Sequence, residues 1–276
     1  MTGKLRRSIV AWALLSPLIA LTLFPFAVML FSALKPRDEI FSSPPRWLPS
    51  MFRWANFAEM WQQENFGPAL LNSLYTSALS TALALLVAIP AAYALARYRF
   101  RGRGAFRQFL LTTQMLSPIV LIIGLFQMVA GFGLQNSLSA LAGIYAAFNV
   151  AFAVWMLQSY FITIPRDLEE AAWLEGASHF RTLVTVFLPL AAPAMAVTAL
   201  FAFINSWNEF VLALTMLRSD EQHTLPIKVF SLVGGRYTIQ WDHVMAATLL
   251  ATLPVAVLFA WMQRYLVKGL ALGAVK

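Results

Sequence analysis

Long uncharged apolar runs alternate along this chain with short polar segments. Ser8 to Leu34, Asn65 to Ala96 and Gln108 to Pro165 carry no Asp, Glu, Lys or Arg. A helix that crosses a bilayer needs about 20 mostly apolar residues at a rise of about 1.5 Å each. The first run therefore predicts one span. It is too long for a signal-peptide core and shows no small-residue exit before Lys35, so it reads as a retained helix. The second run predicts another span, kinked at Pro90. The third is too long for a single crossing, and the polar break Gly131–Ser137 divides it into two helices joined by a tight turn. A fifth span is expected from about Val184 to Leu214 and a sixth from about Val244 to Tyr265. Between the first two, Lys35 to Glu64 holds Pro36, Pro44, Pro45 and Pro49 and reads as an extended loop outside the bilayer. Arg218 to Asp242 is polar, with Gly234-Gly235 as a turn.

Composition sharpens this picture. Of the 276 residues, 60% are hydrophobic and 12% charged, against about 45–50% and about 25% in soluble domains. A water-soluble globular domain, a disordered chain and a nucleic-acid-binding domain are all excluded. The net charge of +8 lies between the apolar runs, where it acts as a topology signal. With the N-terminus inside, 13 of the 20 Lys and Arg fall on inner segments and 7 on outer ones, which places both termini in the cytoplasm. Five arginines between Arg97 and Arg107 carry most of that bias; binding of an anionic lipid or a phosphate is the competing use. The chain has no cysteine, and its three histidines (His179, His223, His243) lie far apart. Disulfides, iron–sulfur clusters and thiol catalysis are out, and no metal site is assigned. No phosphate-cradling glycine loop and no catalytic cluster appears, so the chain itself neither binds nor hydrolyses a nucleotide.

One inner loop differs from its surroundings. Between spans four and five the sequence runs Ile164-Pro-Arg-Asp-Leu-Glu-Glu-Ala-Ala-Trp-Leu-Glu-Gly-Ala-Ser-His-Phe-Arg181. Asp167 followed three residues later by Glu170 is a capping-box pattern, and acidic residues fill the first turn where the helix dipole favours them. Gly176 supplies a left-handed stop. A helix of about two turns is expected from about Leu168 to Glu175, with Leu168, Ala171 and Ala172 on one side. So short a helix is marginal alone and needs a partner. It is acidic and its apolar stripe is small, whereas interfacial helices are usually basic, so a soluble protein with a groove suits it better than the lipid surface. A second helical stretch starts after Ser178 and meets Leu188-Pro189.

Glu170-Ala171-Ala172, three residues, Gly176, nine residues and Val186-x-Leu188-Pro189 resemble the EAA loop of ATP-binding-cassette importer permeases. The spacing matches throughout; Val186 for isoleucine and Glu175 for aspartate are mild departures. Ala91-Ala-Tyr-Ala-Leu-Ala-Arg-Tyr-Arg-Phe100, Asn72-Ser-Leu, Ser206-Trp-Asn-Glu-Phe210 and the tail from Gly269 are similar to the second permease subunit of the carbohydrate, maltose-type branch.

The resemblance implies an all-α integral membrane fold: six transmembrane helices, a type-1 (MetI-like) permease core and one extra N-terminal helix. Residues 1–67 would hold that helix and the extracytoplasmic loop, 68–265 the permease domain with its EAA loop at 163–189, and 266–276 a cytoplasmic tail that touches the ATP-binding subunits. It implies a permease of the bacterial inner membrane, not an enzyme, working with an ATP-binding subunit dimer, a second and different permease subunit and an extracytoplasmic solute-binding protein. ATP and Mg would sit on the partners, with no cofactor on this chain. The substrate class is a small carbohydrate or polyol. Glu170, Ala171, Ala172, Gly176, Leu188 and Pro189 become the coupling residues, with Glu170 bonding the partner and Gly176 turning the chain where a β-carbon would clash.

Intramembrane polar residues are functional candidates by default: Gln114, Ser117, Gln127, Asn149, Gln158 and Asn205, where helix–helix hydrogen bonding outweighs solute contact, with Asn205, Asn208 and Glu209 as pathway or gate candidates. The last two follow Pro189 by about 20 residues, roughly 30 Å of helix, near the outer end of span five. A binding-protein contact and a plain interfacial helix end fit that position equally. A self-sufficient secondary transporter is the alternative, but it expects paired repeats and ionisable groups at the midplane. A membrane scaffold has no need of the capped inner helix.

Overall fold

The computed structural model describes residues 2–234 and 239–273, with side chains described for 7–234 and 239–264. Among the described residues the chain is helical, with no strand. Helix α1 (Thr2–Ala33) leads into α2 (Arg37–Ile40) and α3 (Ala55–Gln63). Then come α4 (Phe66–Arg97), α5 (Arg103–Thr113), α6 (Pro118–Gly131) and α7 (Leu138–Thr163). Two short helices follow, α8 (Arg166–Leu174) and α9 (His179–Thr182), then a π-helical turn (Leu183–Phe187) and α10 (Leu188–Leu190). The chain finishes with α11 (Ala192–Trp207), α12 (Val211–Met216), α13 (Leu225–Ser231) and α14 (Trp241–Gly273).

Among the described residues four helical stretches are long and apolar enough to cross a bilayer: Arg7–Ala33, Phe66–Arg97, Leu138–Thr163 and Trp241–Arg264. Two bent pairs bring the number to six if each counts as one crossing. They are α5 with α6, bent by 96°, and His179–Leu190 with α11, bent by 81°. The third and fifth crossings are thus not the straight spans that the apolar runs predict. Proline explains both breaks. Pro118 opens α6 and holds Ser117 extended (ψ 133°). Pro193 has no amide to offer the carbonyl of Pro189, and the helix breaks at Ala191 between them. The π-helical turn lies immediately before Leu188-Pro189, and the amide of Leu188 donates to the carbonyl of Leu183. Pro90, by contrast, sits inside a continuous α4.

The turn expected at Gly131–Ser137 is present. Gly133 and Asn136 take positive φ (66° and 59°), and the Ser137 hydroxyl accepts from the amide of Ala140 at the start of α7. The segment 35–64 departs from expectation. It is not wholly extended, because α2 forms between Pro36 and Pro44 and α3 beyond Pro49, where no proline interrupts it. The helix after Tyr265 also continues to Gly273, while residues 274–276 and the contacts of the tail lie outside what is described.

The chain forms two compact units. One combines the residues up to Gly67 with Lys228–Leu253, and the other Pro68–Ile227 with the residues from Pro254 on. In the first unit α1 is exposed over residues 7–26, as suits a lipid-facing helix. Asn56 donates to the carbonyls of Ala33 and Lys35 (2.8 and 2.9 Å), fastening α3 to the end of α1. The Arg37 guanidinium meets the buried carboxylate of Asp242 at 3.1 Å and donates to the side-chain oxygen of Gln240 at 3.0 Å. The Ser50 hydroxyl and amide donate to Glu39, which holds that half-buried carboxyl below its usual range.

The second unit is built on small residues. Ser73, Ser77, Ser80, Ala84, Ala88, Ala92 and Ala96 repeat at three- or four-residue spacing on α4 and are all buried. In lipid, where apolar side chains gain little by leaving the solvent, such stripes let helix backbones approach closely. The largest buried cluster joins Ala88, Ala92 and Leu95 of α4, Val154, Leu157 and Phe161 of α7, and Leu183 and Phe187 of the π-helical turn. A second joins Val129 of α6, Leu141 and Tyr145 of α7, Leu212 and Met216 of α12, and Ile227 of α13.

Candidate functional site

The loop between α7 and the π-helical turn is built by rigid caps. α8 starts directly after Pro165, whose fixed φ (−56°) suits a helix start. The expected capping box is absent: no side chain caps the helix, and Asp167 lies inside its first turn with Glu169. The proline sets the start two residues early and takes over that role. The other end closes as a Schellman motif. Gly176 takes φ +82°, its amide donates to the carbonyl of Trp173, and the amide of Ala177 donates to that of Ala172, both at 2.9 Å. No atom lies within 4 Å of the place a β-carbon would take at Gly176. The constraint there is torsional, and the clash expected from the sequence does not arise within this chain. Ser178 then caps α9, accepting from the amide of Arg181.

The two adjacent glutamates of α8 meet different surroundings. Glu170 and Ala171 are exposed and Ala172 is half-buried. Glu169 is 4% exposed. The Tyr93 hydroxyl donates to it at 2.7 Å, and Nε of Arg97 stands 3.3 Å from its other oxygen. Arg97 also donates to the carbonyl of Ile164 at 2.6 Å and lies 4.7 Å over the ring of Phe187. Tyr93 and Phe161 both meet Phe187 edge-on, at 4.8 and 5.6 Å. Beyond the helix, Trp173 and Tyr98 pack edge-on against His179. Outward, the loop presents apolar side chains that nothing in this chain covers: Leu174 is 90% and Phe180 76% exposed, and Leu168 is exposed too. Leu188 is half-buried and Pro189 exposed, next to the break that leads into α11.

Residue-pattern reasoning names Glu170 and misses Glu169, Tyr93 and Arg97. Two neighbouring glutamates lie about 100° apart on a helix, and only the position of α4 decides which one is buried. A signal was available: Tyr93 and Arg97 stand four apart at the end of α4, hence on one face.

A second constellation lines a cavity of about 320 Å³ in the same unit. Gln114, Tyr145, Asn149, Asn205, Ser206 and Glu209 all border it. Asn149 donates to the Ser206 hydroxyl at 3.1 Å, and Asn205 donates to the Asn149 amide oxygen at 3.4 Å. Glu209 accepts from the Tyr145 hydroxyl at 2.8 Å and from the amides of Leu212 and Ala213 at 2.9 and 3.1 Å. Its carboxylate thus anchors the start of α12, where the helix dipole favours negative charge. Asn208 is exposed and does not border the cavity. A straight 30 Å run from Pro189 to Glu209 does not exist either, because the helix is broken at Ala191 and ends at Trp207. Among the described residues no group of His, Asp and Glu is placed to hold a metal ion.

Bent proline-flanked apolar helices, small-residue packing and a loop helix make a helical membrane protein, and similarity to known proteins gives its family. Residues 84–272 match the family described as binding-protein-dependent transport system inner membrane component, and the chain belongs to that family. It is 34% identical to the sulfoquinovosyl glycerol transport system permease protein SmoH of Agrobacterium fabrum, over 100% of this chain and 95% of that protein. It is 37% identical to the trehalose/maltose transport system permease protein MalG of Thermococcus litoralis, over 77% of this chain and 76% of that one. Among solved structures, a bacterial ABC transporter involved in the import of the acidic polysaccharide alginate shares the fold. The TM-score is 0.79 over 96% of this chain and 98% of that chain, at 22% identity. The chain is a permease subunit of an ABC importer, a transport component rather than an enzyme, and a self-sufficient secondary transporter finds no support.

Proposed function

We propose that this chain forms half of the pathway of an inner-membrane importer for a small carbohydrate or polyol. It does so as one of two different permease subunits, with both termini in the cytoplasm. A solute-binding protein outside delivers the solute, and a dimer of ATP-binding subunits inside holds the nucleotide and Mg. The domain limits are read as 1–67, 68–265 and 266–276. The observation that carries this reading is the two-faced helix α8: its inner carboxylate is held by α4, while Glu170, Ala171, Leu168 and Leu174 are left bare. An exposed apolar patch on a rigid, capped helix fits the groove of a soluble partner. Glu170, Ala171, Ala172, Gly176, Leu188 and Pro189 make up the coupling segment.

The amide and hydroxyl groups of Asn149, Asn205 and Ser206 suit a neutral polyhydroxyl solute, which both donates and accepts hydrogen bonds. Glu209 has its lone pairs engaged and serves to hold α12 beside the path; Asn208, outside the cavity, is a contact for the solute-binding protein. The relatives named for sulfoquinovosyl glycerol and for trehalose and maltose favour the same solute class.

The test is Glu170→Lys. The variant inserts at normal level but loses solute uptake and co-purification with the ATP-binding subunits. Normal uptake at normal expression would remove the coupling role.

A further inference from the structure

Four contacts converge on one point at the inner end of α4, and none of them belongs to the exposed face of α8. Glu169 sits under the helix, both it and Arg97 only 5% exposed at the side chain. Tyr93 bonds the same carboxylate. Arg97 reaches on to the carbonyl of Ile164, just before α8, and covers Phe187 of the π-helical turn. A buried ion pair is a poor way to gain stability, since an apolar pair of similar volume packs as well or better. Its advantage is orientation. A carboxylate that accepts from a hydroxyl on one oxygen and pairs with a guanidinium at the other has one position.

Resting on the reading of α8 as the coupling segment, we propose that Glu169, Arg97 and Tyr93 form a positioning lock that makes α8, the inner end of α4 and the π-helical turn move as one body. The two neighbouring carboxylates divide the work. Glu170 faces the partner and receives the displacement; Glu169 hands it to α4. Without the lock, α8 is tied to the core only through its chain ends and a few apolar contacts. A push from the partner would then tilt the helix instead of moving the spans. The pair Tyr93 and Arg97 four residues apart, together with the carboxylate just before the Glu170-Ala-Ala triplet, is the sequence trace of this device.

The chain has no cysteine, so a spin-label pair can be introduced without removing native residues from it. Labels are placed on R101C, beyond α4, and E175C, at the exposed C-terminal end of α8 and outside its bare apolar face, in the complete transporter with cysteine-free partners. In the otherwise native chain the label-to-label distance stays single and the same with and without trapped ATP. In Glu169→Gln, which keeps size and hydrogen bonding but loses the charge, the distance broadens. The solute moved per ATP hydrolysed then falls about tenfold, within the usual range of coupling between sites, while co-purification with the ATP-binding subunits is retained. Tyr93→Phe, which removes one oxygen and preserves packing, falls about threefold and serves if Glu169→Gln does not accumulate. A nucleotide-dependent distance change in the native chain, or wild-type solute-to-ATP ratios in these variants, overturns the lock. Leu174→Asp separates this result from the underlying reading. If it leaves co-purification and uptake intact, α8 is not the coupling segment at all; if it abolishes both while Glu169→Gln behaves as wild type, only the lock is lost.

Discussion

At the scale of single residues, the loop helix shows how one torsion and one carboxylate divide a task. Gly176 ends α8 because its backbone needs φ +82°, and space around it is open. A left-handed conformation costs an ordinary L-residue about 1–2 kcal/mol, less for Asn. Substitutions at Gly176 should therefore rank by torsion: Asn keeps most uptake, Ala loses part of it and β-branched Val loses most, at equal membrane levels. If all three are equally inactive, close approach by a partner explains the glycine instead. Asp167 teaches the opposite lesson. Its spacing to Glu170 satisfies the capping pattern, yet Pro165 starts the helix ahead of it, and the side chain finds no capping role. Glu169 and Glu170 are chemically identical neighbours, and their burial is decided by Tyr93 and Arg97, some 70 residues away in sequence.

At the scale of elements, the apolar runs translate into helices well and into straight spans less well. Chain length and lack of charge say that a segment prefers lipid. They do not say that its axis is straight. Ser117-Pro118 and the pair Pro189 and Pro193 each remove backbone donors, and the helices bend by 96° and 81° there. The bends matter because the first brings Gln114, and the second Asn205 and Glu209, to one cavity. The loop 35–64 shows a different limit: four prolines suppress helix near them but leave Ala55–Gln63 free to form α3. In that unit Asp242 is fully buried at the side chain, with Arg37, 43% exposed, as its cation. Arg37→Ala strands the carboxylate. A fully buried broken pair costs about 3–5 kcal/mol, and partial exposure of Arg37 reduces this to about 1–2 kcal/mol. The detergent-solubilised protein should melt a few degrees lower, and adding Asp242→Asn should recover part of the loss. An unchanged midpoint for Arg37→Ala would show that the pair contributes nothing.

At the scale of the whole molecule, charge asymmetry sets the orientation we propose. The absence of native cysteine offers a direct check. A cysteine at Arg101 should react with an impermeant thiol reagent only in inside-out vesicles, and one at Arg46 only from the outer side of intact cells treated to admit the reagent. Labelling of Arg101→Cys from outside would reverse the topology. Family membership fits the broken crossings and the loop helix; it leaves open how the loop helix is held, which the family pattern quoted for the sequence does not include.

Hydropathy determined that the chain lives in lipid and roughly where its helices run, and local residue pattern that a short helix ending at Gly176 interrupts them. These properties are local: each depends on residues within a turn or a span of one another. Motif spacing added the kinship. Only the tertiary structure decided which of two adjacent glutamates is buried, which polar residues share a cavity and that the Tyr145 hydroxyl donates to Glu209. Each of those outcomes depends on a partner group distant in sequence, brought near by packing of small residues that carry no directional signal of their own.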